Sequence, residues 1–297
     1  MYSSKSDMDI EKILIHGTRG IEFRFFIQSL LSRSKLSKKN IDFLTNEKNI
    51  KYYETAFTHR NVNIDNNYEF YELMGDVTCN KIIVWYIKER FPFLNNMNGV
   101  KVIARLRINL VSKKTFSKWA EKLDFERFIS YDEETKSKQN MSVLEDCFEA
   151  FFGVTELLVN EHFKTGGYHF AFQILSSIIN EEEISLKYKD LYDPITRLKE
   201  TFDYFNAIEM KSENPQLWGT IKFDTRRMES CTHVKLIQKV GLREDVLLKK
   251  EASAPLDEIK YALCEEYLLI LKKKGYEKPL PKYYQEIEQE RKNFESF

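Results

Sequence analysis

The sequence predicts a mainly α protein, with an all-helical first domain followed by a small α-β-β-β-α domain. Three observations carry this expectation. Apolar residues recur at three- and four-residue intervals from Ile21 to about Asn180. A charged run from Glu181 to Asp190 then breaks the pattern. Beyond it, three β-like segments stand between two helical stretches. The expected organisation is an extension over 1–20, a helical domain over 21–180, a linker over 181–190, a second domain over 191–276 and a charged tail over 277–297.

In chain order, Phe25, Phe26, Leu30 and Leu31 mark one helix, and Ile41, Phe43 and Leu44 mark another. Ala56-Phe57-Thr58-His59 ends a third, with His59 read as a helix-end hydrogen bonder rather than a catalyst. A long helix runs from about Asn67 to Arg90, stopped by Pro92. Its Phe70, Leu73, Met74, Val77, Val84 and Ile87 follow the spacing of a buried stripe. Further helices cover about Lys101–Leu123 and Ser142–Asn160, the latter opening on a capping box of Ser142 and Glu145. Between them, Tyr131–Asn140 reads as a charged loop. After the linker, Asp193 serves as N-cap and Pro194 as first helical residue. The β-like segments are Trp218–Phe223, Thr232–Val240 and Asp245–Lys250. A final helix from about Asp257 to Lys274 ends in lysines and Gly275, and the tail beyond Pro281 has little core to join. Tyr52-Tyr53 and Tyr283-Tyr284 read as packing or surface aromatics rather than base-stacking platforms.

Composition narrows the function. Lys+Arg and Asp+Glu both number 46, so the net charge is zero and gives no long-range attraction to phosphate; nucleic-acid binding would need segregated patches. The four cysteines are scattered without metal-site spacing, as reduced intracellular thiols are. The polar amino terminus and the lack of an apolar run of about 18 residues point to a soluble, cytoplasmic protein without a membrane partner, leaving viral or organellar origin open.

Two acidic clusters demand an explanation. In EFYELMGD, Glu69, Glu72 and Asp76 lie within about 60° of one another on a helix. Gly75 beside them costs about 1 kcal/mol against Ala, which suits close approach of a neighbouring backbone. A second pair, Asp146 and Glu149, also stands among apolar residues. Like charges on one face are destabilising unless a cation joins them. Packed together, the two edges would offer hard oxygen ligands without His or Cys, which suits Mg²⁺ or Mn²⁺ and phosphodiester hydrolysis. Spacing alone leaves the alternative of solvated acids on amphipathic helices open.

Thr58-His59-Arg60, then EFYELMGD, then Ser142-Val143-Leu144-Glu145-Asp146-Cys147-Phe148-Glu149-Ala150-Phe151-Phe152-Gly153 resemble, in order and spacing, the signatures of the ribonuclease III family. Leu110-Val111-Ser112 with Thr115, Phe116 and Ala120 resembles a stretch the family carries between them. The downstream unit resembles its double-stranded-RNA-binding domain, by layout more than by residues. The resemblance implies an endoribonuclease that hydrolyses double-stranded RNA with Mg²⁺, Mn²⁺ substituting, in RNA processing or maturation. It implies 5′-phosphate products with short 3′ overhangs, and a homodimer through the nuclease domain. By the same resemblance Glu72, Asp76, Asp146 and Glu149 are the catalytic, metal-binding carboxylates, with Glu69 an additional acid.

Two departures qualify the match. Phe70-Tyr71 and Leu73-Met74 replace residues the family favours, which changes packing at the dimer contact. The family's Lys-Lys-x-Ala-Lys cluster aligns with Leu256-Asp257-Glu258-Ile259-Lys260, retaining only Lys260. Two acids there repel phosphate, with Lys211, Lys222, Arg226 and Arg227 as partial compensation. The candidate RNA-binding set is therefore Lys222, Arg226, Arg227 and Lys260, and the second domain is alternatively a protein-contact module. A catalytically silent RNA-binding or structural protein of the same fold is the competing reading. The intact carboxylate set argues against it.

Overall fold

The structure is a computed structural model that describes residues 13–295 and divides into two compact units. The first comprises the described residues up to Asn95 together with Leu106–Ile184. Its elements are β1 (Leu14–Ile15), α1 (Ile21–Leu31), α2 (Lys38–Leu44), α3 (Ile50–Ala56), α4 (Glu69–Arg90), the end of α5 (Gly99–Leu110), α6 (Lys113–Lys122), β2 (Tyr131–Asp132), α7 (Glu133–Phe163) and α8 (Gly167–Ile179). The predicted all-helical layout holds apart from one short antiparallel ribbon, in which Leu14 faces Asp132 and Ile15 faces Tyr131. The core is aromatic: Phe26 stacks on Phe128, Phe57 tilts against Phe125, and Phe148 packs against Phe116, Phe125 and Phe152. Planar rings bury large areas and pack edge to face, so a helical unit can close around them with few gaps. Among the described residues, no helix is long and apolar enough to cross a membrane.

Several expectations change here. Residues 1–12 of the expected extension lie outside the described residues, whereas residues 13–20 are integral to the first unit. The Arg19 guanidinium donates to the carbonyls of Phe128 and Phe57 and to the Ser130 hydroxyl, tying this part of the chain to the two loops below it. The stretch 131–140 is no loop. Asp132 caps α7 by accepting from the Thr135 amide at 2.9 Å. Although burial opposes it, hydrogen bonds from Thr135 and Asn61 hold the Asp132 carboxyl down to about 2. The charges after it lie on an exposed helical face, with Lys138 bonded to Glu134 one turn earlier at 2.7 Å. A bend at Gln139 (φ −132°, ψ 15°) interrupts α7. Because the helix starts earlier, Ser142 and Glu145 do not form the expected capping box. Both instead meet the Lys113 ammonium, at 2.9 and 3.5 Å.

The predicted buried stripe of α4 is the largest correction: of its six residues only Ile87 is buried, with Met74 half-buried. Phe70, Leu73 and Val77 are 64%, 63% and 64% exposed, while Gly75, Thr78, Cys79, Ile82, Ile83, Tyr86 and Ile87 are buried. Both sets follow helical spacing. Phe70, Leu73, Val77 and the half-exposed Val84 span about 60°, on the side away from the buried face. A periodicity states that residues share a face and is silent about what that face meets.

The second unit comprises Asn96–Arg105 and the described residues from Ser185 onward. It contains the start of α5, α9 (Tyr188–Leu191), α10 (Pro194–Glu209), β3 (Thr220–Arg227), β4 (Thr232–Val240), β5 (Arg243–Ala252), α11 (Leu256–Lys273) and α12 (Lys282–Glu295). Asp193 caps α10 through the Thr196 amide at 2.9 Å, with Pro194 in the first turn, as the sequence predicts. The strands form an antiparallel sheet in the order β3-β4-β5, irregular between Leu236 and Ile237. Its inner face (Ile221, Val234, Leu236) packs on Leu198 and Phe202 of α10 and on Ile259 and Leu263 of α11.

Three further stretches behave unlike the expectation. Within the charged run 181–190, Glu181 pairs with Arg33 and Lys122, and Glu182 with Lys118, so its start is pinned to the first unit's own residues. The tail folds as α12, burying Tyr284 and Ile287. Asn96–Arg105, expected among the helices of the first domain, groups with this tail. Asn98 donates to Glu286, the Lys101 ammonium lies 4.5 Å over the Tyr283 ring, and Arg105 lies 4.5 Å over Tyr192. Tyrosines carry the packing of a tail whose other residues are largely charged.

Candidate active site

The site is built where α4 crosses α7 with almost no side-chain spacer. A Cβ on Gly75 would lie 1.8 Å from the Glu149 carbonyl oxygen, and one on Gly153 would lie 2.1 Å from the Tyr71 carbonyl oxygen. Each helix thus presents a glycine to the backbone of the other, the role expected for Gly75. The crossing sets Glu72 and Asp76 of α4 facing Asp146 and Glu149 of α7: Asp146 and Asp76 act on the ionisation of Glu72, and Asp76, Glu72 and Asp146 act on that of Glu149.

Electrostatics records the crowding. Glu149 is only 5% exposed, and among the described residues no side chain donates a hydrogen bond to its carboxylate. Burial, reinforced by Asp76, Glu145 and Glu72, pushes its carboxyl up to about 9. Burial also raises Glu72, with Asp146 and Asp76 adding to it. Asp146 is raised by burial but eased by the Tyr68 hydroxyl, which donates to its Oδ2 at 2.8 Å. Asp76 Oδ1 accepts from the Asn80 amide at 2.7 Å, and Asn80 Oδ1 in turn accepts from Arg107 at 2.9 Å. Among the described residues, no three of these acids bring their oxygens within 4.8 Å of one another.

The donor set selects the class of ion it fits. Four carboxylates offer only hard oxygens, and the thiols of Cys79 and Cys147 are kept neutral by burial, with Glu149 adding to it for Cys79 and Asp146 for Cys147. Mg²⁺ or Mn²⁺ fits this set, whereas a thiolate-seeking ion does not. A buried, donor-free Glu149 is the group that most needs such a cation.

Of the other candidates, Glu69 stands at the exposed start of α4, 3.0 Å from Arg60. His59 is buried, its backbone amide donating to the Ser130 carbonyl and its Nδ1 accepting from the Asn61 amide at 3.1 Å. In the second unit, Lys222 is 2.5 Å from Glu244. Lys260 lies 5.6 Å over the Phe223 ring and 3.9 Å from Asp257. Arg226 and Arg227 sit at the exposed end of β3, opposite His233 and Thr232. Sequence reasoning missed Tyr68, Asn80, Arg107 and Lys113. Only Asn80, one turn beyond Asp76, was open to discovery from spacing; the others reach the acids by tertiary contact.

Comparison with known proteins bears on this arrangement. The family model described as Ribonuclease III domain matches residues 69–158, which run from the first acid of α4 past both acids of α7. A chain named as a candidate ribonuclease 3 in Invertebrate iridescent virus 6 is 37% identical over 227 residues, covering 71% of this chain and 74% of that one. A chain of Frog virus 3, named likewise, is 36% identical over 181 residues, covering 60% of this chain and 48% of that one. Among solved structures, the nuclease domain of ribonuclease III from Campylobacter jejuni aligns at 22% identity, covering 57% of this chain and 100% of that one, with a TM-score of 0.41.

Proposed function

Since this chain belongs to the ribonuclease III family, we propose that it is an endoribonuclease that hydrolyses double-stranded RNA at the α4–α7 carboxylates. The observation that carries this reading is Glu149, an acid buried without a donor beside three others. Glu72, Asp76, Asp146 and Glu149 would hold Mg²⁺ or Mn²⁺. The ion supplies charge neutralisation at the phosphate and lowers the pKa of a bound water. The chain's own residues do the positioning. Tyr68 fixes the Asp146 carboxylate, and the Arg107–Asn80 relay fixes Asp76. Lys113, bridged to Ser142 and Glu145 of α7, offers a cation beside the acids. Purified wild-type protein is expected to cut a long RNA duplex in Mg²⁺, leaving 5′-phosphates, and to spare single strands and DNA duplex. Asp76→Asn should remove cutting with an unchanged circular-dichroism spectrum. A wild-type protein inert on every duplex in both ions would refute the enzyme reading and favour the silent RNA-binding alternative.

The assembly reading rests on the exposed edge of α4. Phe70, Leu73 and Val77 form a contiguous apolar strip beside the acids, the kind of surface that association covers. We propose that a second copy packs there, so that each duplex strand meets one site. Leu73→Glu with Val77→Glu should convert a sedimenting dimer to monomer and lower cutting at least tenfold. The fold should survive, because both residues face solvent within the chain. A wild-type monomer at working concentration would sink this part alone.

For the second unit we propose a weak RNA contact. Lys222 and Lys260 are already engaged with acids, and Asp257 and Glu258 occupy the first turn of α11. A protein partner at this unit is the competing reading.

A further inference from the structure

A second cluster of ligand-type side chains lies in the other unit and takes no part in the proposed nuclease site. Cys231, His233 and Glu251 bring their ligand atoms within 4.8 Å of one another. The strand geometry explains the meeting. Cys231 and His233 are two residues apart at the start of β4, so the period of two sets them on one face. Glu251 of β5 lies directly opposite His233 in the register. Its two oxygens divide between them: Cys231 Sγ donates to Oε1 at 3.0 Å, and His233 Nε2 lies 3.0 Å from Oε2. All three are on the outer face, since the adjacent Val234 belongs to the core.

We propose that Cys231, His233 and Glu251 form a site for Zn²⁺ or a similar borderline divalent cation, with water as fourth ligand. Thiolate, imidazole and carboxylate are the three ligand types zinc takes from proteins. Bonds of about 2.0–2.3 Å at tetrahedral angles set ligand atoms about 3.3–3.8 Å apart. The folded separations thus need only small side-chain adjustments. A cross-strand His–Glu pair accounts for two of these residues and leaves the thiol, aimed at the same carboxylate, unexplained. Of the three, Cys231 also borders an open recess of about 370 Å³, lined in part by Arg227, Met228, Ser230 and Ser253. Binding replaces the Sγ–H···O and Nε2···O contacts with three metal bonds and releases the thiol proton to solvent. The ion would then staple β4 to β5 at the turn end of the β3–β4 hairpin.

The other three cysteines are buried, which makes a spectroscopic test specific. The 297-residue chain is titrated with Co²⁺ as the probe and then with Zn²⁺. The expected result is a thiolate-to-cobalt charge-transfer band that saturates at one equivalent per chain and is bleached by Zn²⁺. The band should vanish in Cys231→Ser, and the apparent affinity should fall at least tenfold in His233→Ala. The nuclease carboxylates contain no sulfur ligand, so they cannot produce this signal. No band under excess cobalt, a band that survives Cys231→Ser, or saturation at half an equivalent would each overturn the proposal.

Discussion

Glu149→Gln is expected to abolish duplex cutting and, at the same time, to stabilise the metal-free protein at neutral pH. The second effect is a consequence of linkage. The Glu149 carboxyl titrates near 4.5 when unperturbed and is pushed up to about 9 in the fold. Below 4.5 both folded and unfolded chains hold the proton, and no penalty exists. Between the two values the unfolded chain releases its proton while the folded chain resists, so stability falls as pH rises. By pH 7 the penalty amounts to roughly 3 kcal/mol, which Gln escapes. Thermal melts in a chelator should therefore coincide near pH 4 and separate by several degrees at pH 7, the variant being the more stable. Mg²⁺ should raise the melting temperature of wild type and not of the variant, because a cation bound only to the folded state stabilises it. Coincident melts at pH 7 would show that Glu149 is not held as a buried, strained acid.

Gly75→Ala is expected to be the most damaging single-methyl addition in the nuclease unit. The new carbon would fall 1.8 Å from a backbone oxygen of α7, and no side-chain rotation relieves a clash with backbone. The helices must part, at a cost of about 3 kcal/mol. For a unit of this size that lowers the melting temperature by about 6–12 °C. Gly153→Ala, 2.1 Å from the Tyr71 carbonyl, should behave alike. Cutting should be lost in both, since parting α4 from α7 separates Glu72 and Asp76 from Asp146 and Glu149. A Gly75→Ala protein with wild-type melting and activity would refute the glycine-mediated crossing.

These two predictions differ in how much of them was legible beforehand. The acids, their spacing and Gly75 stand out in EFYELMGD because carboxylates and an interior glycine are each costly on an apolar helix. The caps of α10 and the three strands were equally readable, being local chemistry over a few residues. The start of α7 was not. Its charged first turns look like a loop until Asp132 is seen to cap them and β1 to pair beside them. The α12 tail misled for a related reason: two buried side chains, Tyr284 and Ile287, anchor a helix whose other positions are mostly polar.

By itself the sequence determined most of the element types, the four-carboxylate inventory and the mainly α class, because these depend on periodicity, propensity and residue chemistry within short windows. Only the tertiary structure decided which face of α4 is buried, which acid lacks a donor, and that Tyr68 and Asn80 hold Asp146 and Asp76. The physical reason is the same in each case. A helical period assigns residues to a face, but desolvation, hydrogen bonding and repulsion depend on what the rest of the chain brings to that face.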